Sequence, residues 1–181
     1  MIYKSKTING VITFSPKIYP DKRGYFFESY NSSFINSLLK DKIVFIQDNE
    51  SKSVKNVIRG LHYQIEPFSQ KKLIRVLQGK IFDVVLDLRK NSSSFGMHET
   101  FDLSSENNMQ LYIPEGCAHG FMSLSDDVII NYKVDKAYAP EYERTILWND
   151  PKLNIEWPNY SEVIVSEKDA NGNKFENAFY F

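Results

Sequence analysis

The sequence predicts an all-β fold, a jelly-roll sandwich or barrel of antiparallel strands with a few short helices. Three observations favour it. Aromatic residues are abundant, with 13 Phe, 11 Tyr and 2 Trp in 181 residues, and aromatic side chains favour strands. Apolar residues recur mostly with a period of two. Turn signals such as Pro20-Asp21, Gln78-Gly79 and Pro114-Glu115-Gly116 separate short segments, a pattern typical of sandwiches and barrels.

Two segments show the period of two most clearly. In Lys80–Arg89 alternate residues form an apolar face, and Asp83 and Asp87 lie on the other face. In Asp127–Asp135 the apolar face includes Tyr132. The other predicted strands are Val11–Phe14, Gly24–Tyr30, Ile43–Gln47, Val54–Arg59, Lys72–Leu77, Met97–Leu103 and Met109–Ile113.

Helix signals are short. Ser32 or Ser33 is a candidate N-cap for a helix over Phe34–Lys40, which carries an apolar stripe. A further helical turn is predicted around Ser161–Asp169. The length suits one core, and neither a repeat nor a linker interrupts the sequence, so we expect a single domain over residues 1–181.

Composition excludes several function classes. The 22 basic and 23 acidic residues leave a net charge of −1, which gives no indication of a nucleic-acid partner. One Cys cannot form an internal disulfide. The N-terminal residues lack the apolar segment of a signal peptide, and no segment approaches the ~20 apolar residues of a membrane helix. We therefore expect a cytoplasmic protein without a membrane partner.

His62 is the first candidate for chemistry, because an imidazole suits proton transfer near neutral pH. It follows Arg59 and Gly60, and strict alternation puts His62 and Arg59 on opposite faces. The two side chains share a cavity only if Gly60 bends or bulges the strand. From the residues alone, a histidine hydrogen-bonded within a strand is favoured. A metal-binding jelly roll needs a second ligand at Gln64, and a Gln carbonyl is a poor one, so we expect no metal.

Tyr132, Lys72 and the pair formed by Cys117 and His119 each have both a structural and a functional interpretation. Tyr132 is either a core residue bonded to backbone or an acid that donates a proton into a cavity. Lys72 is either a solvated strand start, which is favoured on its own, or a fixed charge facing an oxyanion. Cys117 and His119 are conceivable as a nucleophile pair, but a small buried Cys is favoured. No glycine-rich phosphate loop is present.

Ordered sequence blocks run through nearly the whole chain and resemble the dTDP-4-dehydrorhamnose 3,5-epimerase family of cupin-like jelly rolls. The blocks are DKRGYFFESYN, FIQDNESKS, VIRGLHYQ, QKKLIRVLQGKIFDVVLDLRKNSSSFG, YIPEGCAHGFMSLSD, NYKVDKAYAPEYE, ILWNDPKLNIEWP and SEKDA. The resemblance implies that dTDP-4-keto-6-deoxy-D-glucose is epimerised at C3 and C5 to dTDP-4-keto-L-rhamnose. It implies no cofactor, since the substrate's own ketone acidifies both positions.

The resemblance also assigns catalytic roles. His62 is the base, and Asp169 hydrogen-bonds its ring and supports the imidazolium. Tyr132 donates a proton from the other side of the sugar, and Lys72 stabilises the enolate oxygen. Periodicity places Tyr132 on the correct face but gives no means of linking Asp169 to His62.

The resemblance further implies a nucleotide-sugar pocket and a homodimer. Arg23 and Arg59 are expected to face the diphosphate, Gln47 and Asn49 to lie nearer the nucleoside, and Phe26 or Tyr138 to stack on thymine. The other implied pocket residues are Glu28, His119, Glu143 and Lys168. Because N-terminal strands of one family subunit help to build the other's site, Arg23 and Glu28 are expected to act in the partner's site.

Three departures from the family pattern, at Glu50, at Thr145 and at Met97-His98, leave the acid, base and enolate stabiliser intact. They bear on sugar specificity, so an epimerase acting at one carbon only, or on another nucleotide 4-keto sugar such as a heptose, stays open. A metal-dependent cupin enzyme and a carbohydrate-binding jelly roll are the competing classes. The first lacks ligands, and the second has no need of a His–Asp pair.

Overall fold

The structure is a computed structural model that describes residues 2–158 and 160–181. The strands are β1 Ile2–Lys4, β2 Ile12–Phe14, β3 Tyr19–Asp21, β4 Gly24–Phe26, β5 Gln47–Ser53, β6 Val57–Gln64, β7 Lys72–Gln78, β8 Lys80–Asp87, β9 His98–Ser104, β10 Gln110–Ile113, β11 Cys117–Ser123, β12 Val128–Val134, β13 Glu143–Thr145 and β14 Ile164–Val165. Two antiparallel sheets contain most of them. The first sheet has the order β1-β2-β10-β7-β12-β5, and the second has the order β13-β6-β11-β8-β9, with β14 pairing in parallel with β6. A separate hairpin joins β3 to β4.

The main core lies between the two sheets, where buried side chains such as Ile74 and Leu111 of the first meet Val85 and Leu103 of the second. The alternation predicted for Lys80–Arg89 is confirmed. One set of β8 side chains enters this core, and the other packs outward against the C-terminal part of the chain, in a second cluster that contains Trp148 and Trp157. The second sheet is therefore covered on both faces.

Helices are few and short. The first helix, α1, spans Ser32–Leu39 and is capped by the Asn31 side chain, which accepts a hydrogen bond from Phe34 N at 3.1 Å. The predicted caps Ser32 and Ser33 lie inside the helix. The second helix, α2, spans Glu167–Ala170. No helix among the described residues is long and apolar enough to cross a membrane.

Most predicted strands are confirmed within a residue or two, but Ile43–Gln47 is wrong. Residues 43–46 form no strand, and β5 begins at Gln47. Its less exposed positions include Gln47, Asn49 and Ser51, which are polar because they line a cavity rather than a dry core. Apolar periodicity therefore cannot reveal this strand. The strand predicted at Val54–Arg59 begins three residues later and extends to Gln64, and Gly24–Tyr30 forms a strand only to Phe26.

Candidate active site

A cavity of about 380 Å³ opens between the sheets and is walled by both of them. Strands β5, β7 and β12 of the first sheet and β6, β11 and β13 of the second contribute side chains. Among the residues predicted for the site, the lining includes Gln47, Asn49, Arg59, His62, Lys72, His119, Tyr132, Tyr138 and Glu143. The fold thus brings together residues that are spread over almost one hundred positions of the sequence.

His62 is joined to Asp169, as the resemblance predicted. The Nε2 atom of His62 lies 2.6 Å from Asp169 Oδ1, although 107 positions separate the two residues. Gly60 N donates to the other carboxylate oxygen at 3.2 Å, and Ser166, the N-cap of α2, accepts from Asp169 N at 3.1 Å. Burial favours a higher pKa for Asp169, but the His62 ring and these hydrogen bonds lower that pKa below its ordinary value.

The ionised carboxylate fixes the His62 tautomer. An oxygen that only accepts requires the hydrogen of the neutral ring to sit on Nε2, which leaves Nδ1 with a free lone pair. His62 is partly exposed and lines the cavity, whereas Asp169 is buried behind it. This arrangement provides a base whose conjugate imidazolium is stabilised by a neighbouring negative charge.

Gly60 allows Arg59 and His62 to line one cavity. Its φ is +129°, a value that favours glycine. The pairing of β6 with β11 shifts in register between His119 and Phe121, and a Cβ atom on Gly60 would lie 2.5 Å from Gly120 Cα. The bend on which the prediction depended is therefore present. Arg59 is held from β5, donating to Ser53 Oγ and Lys52 O at 3.0 Å each.

Tyr132 enters the cavity from the opposite sheet. It lies on β12 of the first sheet, whereas His62 lies on β6 of the second. Burial, with a further contribution from the Glu143 charge, raises the pKa of Tyr132. A raised pKa keeps the phenol protonated at neutral pH, so that it is able to donate.

Lys72 is buried, contrary to the solvated position favoured from the residues alone. Only 8% of its surface is exposed, and Nζ donates to the His62 carbonyl oxygen at 3.1 Å. Burial lowers the pKa of Lys72 to about 8, although the charges of Glu143 and Asp83 oppose the shift. Lys72 therefore presents a positive charge inside the cavity at neutral pH.

Glu143 organises the polar wall of the cavity next to Tyr138. Its Oε2 accepts from Tyr138 OH at 2.8 Å and pairs with Lys168 Nζ at 2.5 Å. Burial favours a higher pKa for Glu143, but these two partners lower that pKa overall. Gln47 completes this wall, because its amide donates to Asn49 Oδ1 at 2.8 Å and accepts from Tyr138 N at 3.2 Å.

Three predicted binding residues lie elsewhere on this chain. Arg23, at the turn of the β3–β4 hairpin, is exposed and pairs with Asp21 at 2.6 Å. Phe26 is 66% exposed. Glu28 lines a different cavity, of about 350 Å³, beside α1. The action of Arg23 and Glu28 in a partner subunit stays a prediction.

The Cys–His alternative does not fit the geometry. Burial raises the pKa of Cys117 to about 12, so the thiol stays protonated, and His119 pairs instead with Asp83. Gln64, at the ligand position of metal-binding jelly rolls, is fully used in holding loops, since its amide binds Phe68 O, Ala137 O and Ala139 N. Over residues 2–158 and 160–181, no three His, Cys, Asp or Glu side chains cluster in a way that could hold a metal ion.

Comparisons with known proteins agree with this geometry. Residues 5–177 match the family model described as dTDP-4-dehydrorhamnose 3,5-epimerase. A dTDP-4-dehydrorhamnose 3,5-epimerase from Shigella flexneri is 49% identical over 174 residues, which cover 96% of each chain. The crystal structure of dTDP-6-deoxy-D-glucose-3,5-epimerase from Legionella pneumophila, in complex with dTDP-4-keto-L-rhamnose, has a TM-score of 0.93 at 42% identity and covers 98% of this chain and 93% of that chain.

A third similar structure is that of an enzyme with a narrower activity. The 3'-monoepimerase from Streptomyces bikiniensis, in complex with dTDP-quinovose, has a TM-score of 0.88 at 31% identity and covers 93% of this chain and 85% of that chain. The shared fold therefore accompanies more than one epimerase specificity.

The chain is a cupin-like sandwich of two antiparallel sheets, and the cavity between them contains an imidazole paired with a buried carboxylate. Together with these similarities, the fold and the site define an isomerase of the epimerase class. The expected all-β jelly-roll class is confirmed. More narrowly, the chain belongs to the dTDP-4-dehydrorhamnose 3,5-epimerase family.

Sequence reasoning missed one charged residue of the site. The alternation puts Asp83 on the same face as Ile81 and Val85 without assigning it a role, yet it is fully buried and bonded to His119. The signal that could have found it is an acidic residue alternating with Ile and Val on an inward face, where a buried charge needs a partner.

Proposed function

We propose that this protein converts dTDP-4-keto-6-deoxy-D-glucose to dTDP-4-keto-L-rhamnose by inverting C3 and C5, as a step of rhamnose-type nucleotide-sugar biosynthesis. One observation carries the proposal: an oriented imidazole and a protonated phenol enter one cavity from opposite sheets. A sugar bound between them has a base on one face and an acid on the other. Inversion of a stereocentre requires that arrangement.

The chemistry follows from a proton transfer at each carbon. His62 Nδ1 removes a proton next to the C4 ketone, and the C–H electrons move to the C4 oxygen to form an enolate. Lys72 stabilises that negative charge, and Tyr132 returns a proton to the opposite face. Asp169 stabilises the imidazolium until its proton leaves to solvent and the phenolate is reprotonated. The ketone itself supplies the electron sink, so the proposal needs no cofactor.

The polar walls of the cavity support a nucleotide ligand. Arg59 suits a phosphate oxygen, since its guanidinium carries forked donors. Gln47 and Asn49 offer amides to a base edge, and Tyr138, with about half of its ring exposed, offers a surface for stacking on thymine. Glu143, His119 and Lys168 complete the proposed pocket.

Solvent labelling tests the proposal. Incubation with dTDP-4-keto-6-deoxyglucose in deuterated water should place deuterium at both C3 and C5 of the product, read by NMR. Deuterium at one carbon only would favour the single-centre activity of the monoepimerase relative, and the same assay with other nucleotide 4-keto sugars would locate a different substrate. No exchange with any of them would rule out the proposed reaction.

One substitution tests whether His62 and Tyr132 act on opposite faces of the sugar. Tyr132→Phe should keep exchange at the carbon attacked by His62 while losing net inversion, because the base remains and the acid on the opposite face is gone. Exchange and inversion that fall equally would contradict the role of Tyr132 as donor.

We also propose a homodimer in which the N-terminal strands complete the partner's site. Arg23 and Phe26 support it, because both are exposed and lie outside this chain's cavity. Ile2, Tyr3 and Tyr25 are large apolar side chains in the same N-terminal strands, and they too are exposed.

We also propose a cytoplasmic location from the sequence, and cell fractionation would test it.

A further inference from the structure

The cavity contains a second histidine–carboxylate pair that the proposed reaction does not yet use. His119 Nε2 lies 2.8 Å from Asp83 Oδ2. His119 on β11 and His62 on β6 are direct cross-strand partners in the second sheet, so their side chains stand side by side on one face. Both line the cavity. In each pair Nε2 contacts a buried aspartate, which makes the two arrangements alike.

The Asp83 carboxylate lies in the protein interior, unlike the acidic partner in an exposed salt bridge. Its side chain is fully buried, and among the described residues its other oxygen, Oδ1, has no hydrogen-bond partner. A buried carboxylate is costly unless it is paired. The charge of Asp83 also acts on the Lys72 ammonium, which lies in the same cavity. Asp83 therefore faces the cavity groups rather than solvent.

We propose that Asp83 is a positioning residue that holds His119 with its hydrogen on Nε2 and so presents Nδ1 to the substrate as a hydrogen-bond acceptor. A carboxylate only accepts, so the neutral ring must donate through Nε2. No hydrogen bond joins His119 Nδ1 to another residue in the described part of the chain. The remaining nitrogen is therefore available to a ligand.

The tautomer selects the kind of ligand group. A neutral Nδ1 accepts from a hydroxyl or N–H group and repels a phosphate or carbonyl oxygen. Within the nucleotide sugar of the proposed function, on which this step rests, the possible donors are the hexose hydroxyls, the deoxyribose 3'-hydroxyl and the thymine N3–H. Because His119 is the cross-strand neighbour of His62, it lies beside the reacting sugar, so the hexose hydroxyls are the matching groups. His119 then distinguishes a hydroxyl from an oxygen that can only accept, and so contributes to sugar specificity rather than to phosphate binding.

NMR of the ring nitrogens measures the tautomer of His119 without an activity assay. The chain has only three histidines, so ¹⁵N NMR of the imidazoles is readily assigned through His62→Asn and His119→Asn. We expect the His119 signals of the free protein to show hydrogen on Nε2. Hydrogen on Nδ1, or on both nitrogens at neutral pH, would overturn the proposal whatever the effect of substituting Asp83.

Two ligands show which part of the nucleotide sugar His119 contacts. Addition of dTDP-glucose, which carries hexose hydroxyls, should shift the Nδ1 signal of His119 as it accepts a hydrogen bond, whereas dTDP, which lacks the hexose, should not. If His119 becomes protonated when dTDP is added, its ring contacts a phosphate group, and the proposal is overturned. If neither compound binds, the proposed function fails, while the tautomer in the free protein is still measured.

Substitutions then test the coupling between the two residues. Asp83→Asn should populate the Nδ1–H tautomer of His119 and lower kcat/KM by about 10- to 100-fold, as loss of an orienting partner does elsewhere. In a His119→Ala background the same change should have little further effect. Asp87→Asn is the matched control, because Asp87 is equally buried on β8 but pairs with Arg89 and Ser94. Equal tautomer changes in both variants, or additive kinetic losses, would contradict positioning by Asp83.

Discussion

Lys72 holds its positive charge in a buried position, and burial makes that charge sensitive to pH. Because burial lowers its pKa to about 8, the ammonium is present below that pH and is lost as the pH rises through it. Free lysine would lose its charge roughly two pH units higher. The proposed enolate stabiliser therefore loses its charge in mildly alkaline solution.

We expect kcat/KM to fall as the pH rises above about 8, as measured by a pH profile with saturating and limiting substrate. The phenol of Tyr132 does not explain such a fall, because its pKa is raised rather than lowered. In Lys72→Arg, the guanidinium stays charged, so a slower enzyme without this alkaline decline is expected. An unchanged decline in that variant would assign it to another group.

Strand β6 positions two site residues, Arg59 and His62, because of one glycine. Gly60 and Gly24 have similar φ values, +129° and +133°. A Cβ atom on Gly60 would meet Gly120 Cα at 2.5 Å and His119 O at 2.9 Å, whereas one on Gly24 meets nothing within 4 Å. The two positions therefore share the cost of a positive φ but differ in crowding.

Gly60→Ala should destabilise the fold by several kcal/mol and abolish exchange, since it combines a strained φ, which costs about 1–3 kcal/mol, with displacement of β11. Gly24→Ala should show the strain alone. Urea unfolding of both variants gives the comparison. Equal losses of unfolding free energy would mean that the close approach of β6 and β11 relaxes without cost.

Element patterns set the limit of what the sequence predicts. Strand β8 was found with its faces because each face is packed against apolar side chains. Strand β5 was missed because the positions facing the cavity are polar. The α1 cap was misplaced by one or two residues, since Asn31, Ser32 and Ser33 are all good N-caps and only Asn31 makes the hydrogen bond. Packing periodicity thus finds the core and overlooks the wall of a binding site.

At the scale of the whole molecule, the site combines distant parts of the chain. The link between His62 and Asp169 came from family resemblance and not from periodicity, because no local pattern connects positions 107 apart. The three predicted catalytic residues His62, Tyr132 and Lys72 line one shared cavity. The pairing of Asp83 with His119 likewise has no local sequence pattern, because the two residues lie on different strands.

Subunit mixing tests the proposed completion of the site by a partner. Arg23→Ala and His62→Ala homodimers should each be inactive or nearly so, and unfolding and re-forming them together should restore activity. A heterodimer then contains one site with intact His62 and with Arg23 from the partner. If Arg23 acts within its own chain, both sites of the heterodimer are defective and the mixture stays inactive. Mixing each variant with itself is the control.

The position of Asp169 behind His62 has a consequence for synthesis of the protein. A ribosome makes the chain from its N-terminus, so His62, Lys72 and Tyr132 all emerge before the residue that fixes the imidazole. A nascent chain able to pair most of its strands still lacks an oriented imidazole. The hydrogen bond that fixes the His62 ring forms only when the segment carrying Ser166 and Asp169 docks, so the cavity is completed after most of its walls have formed.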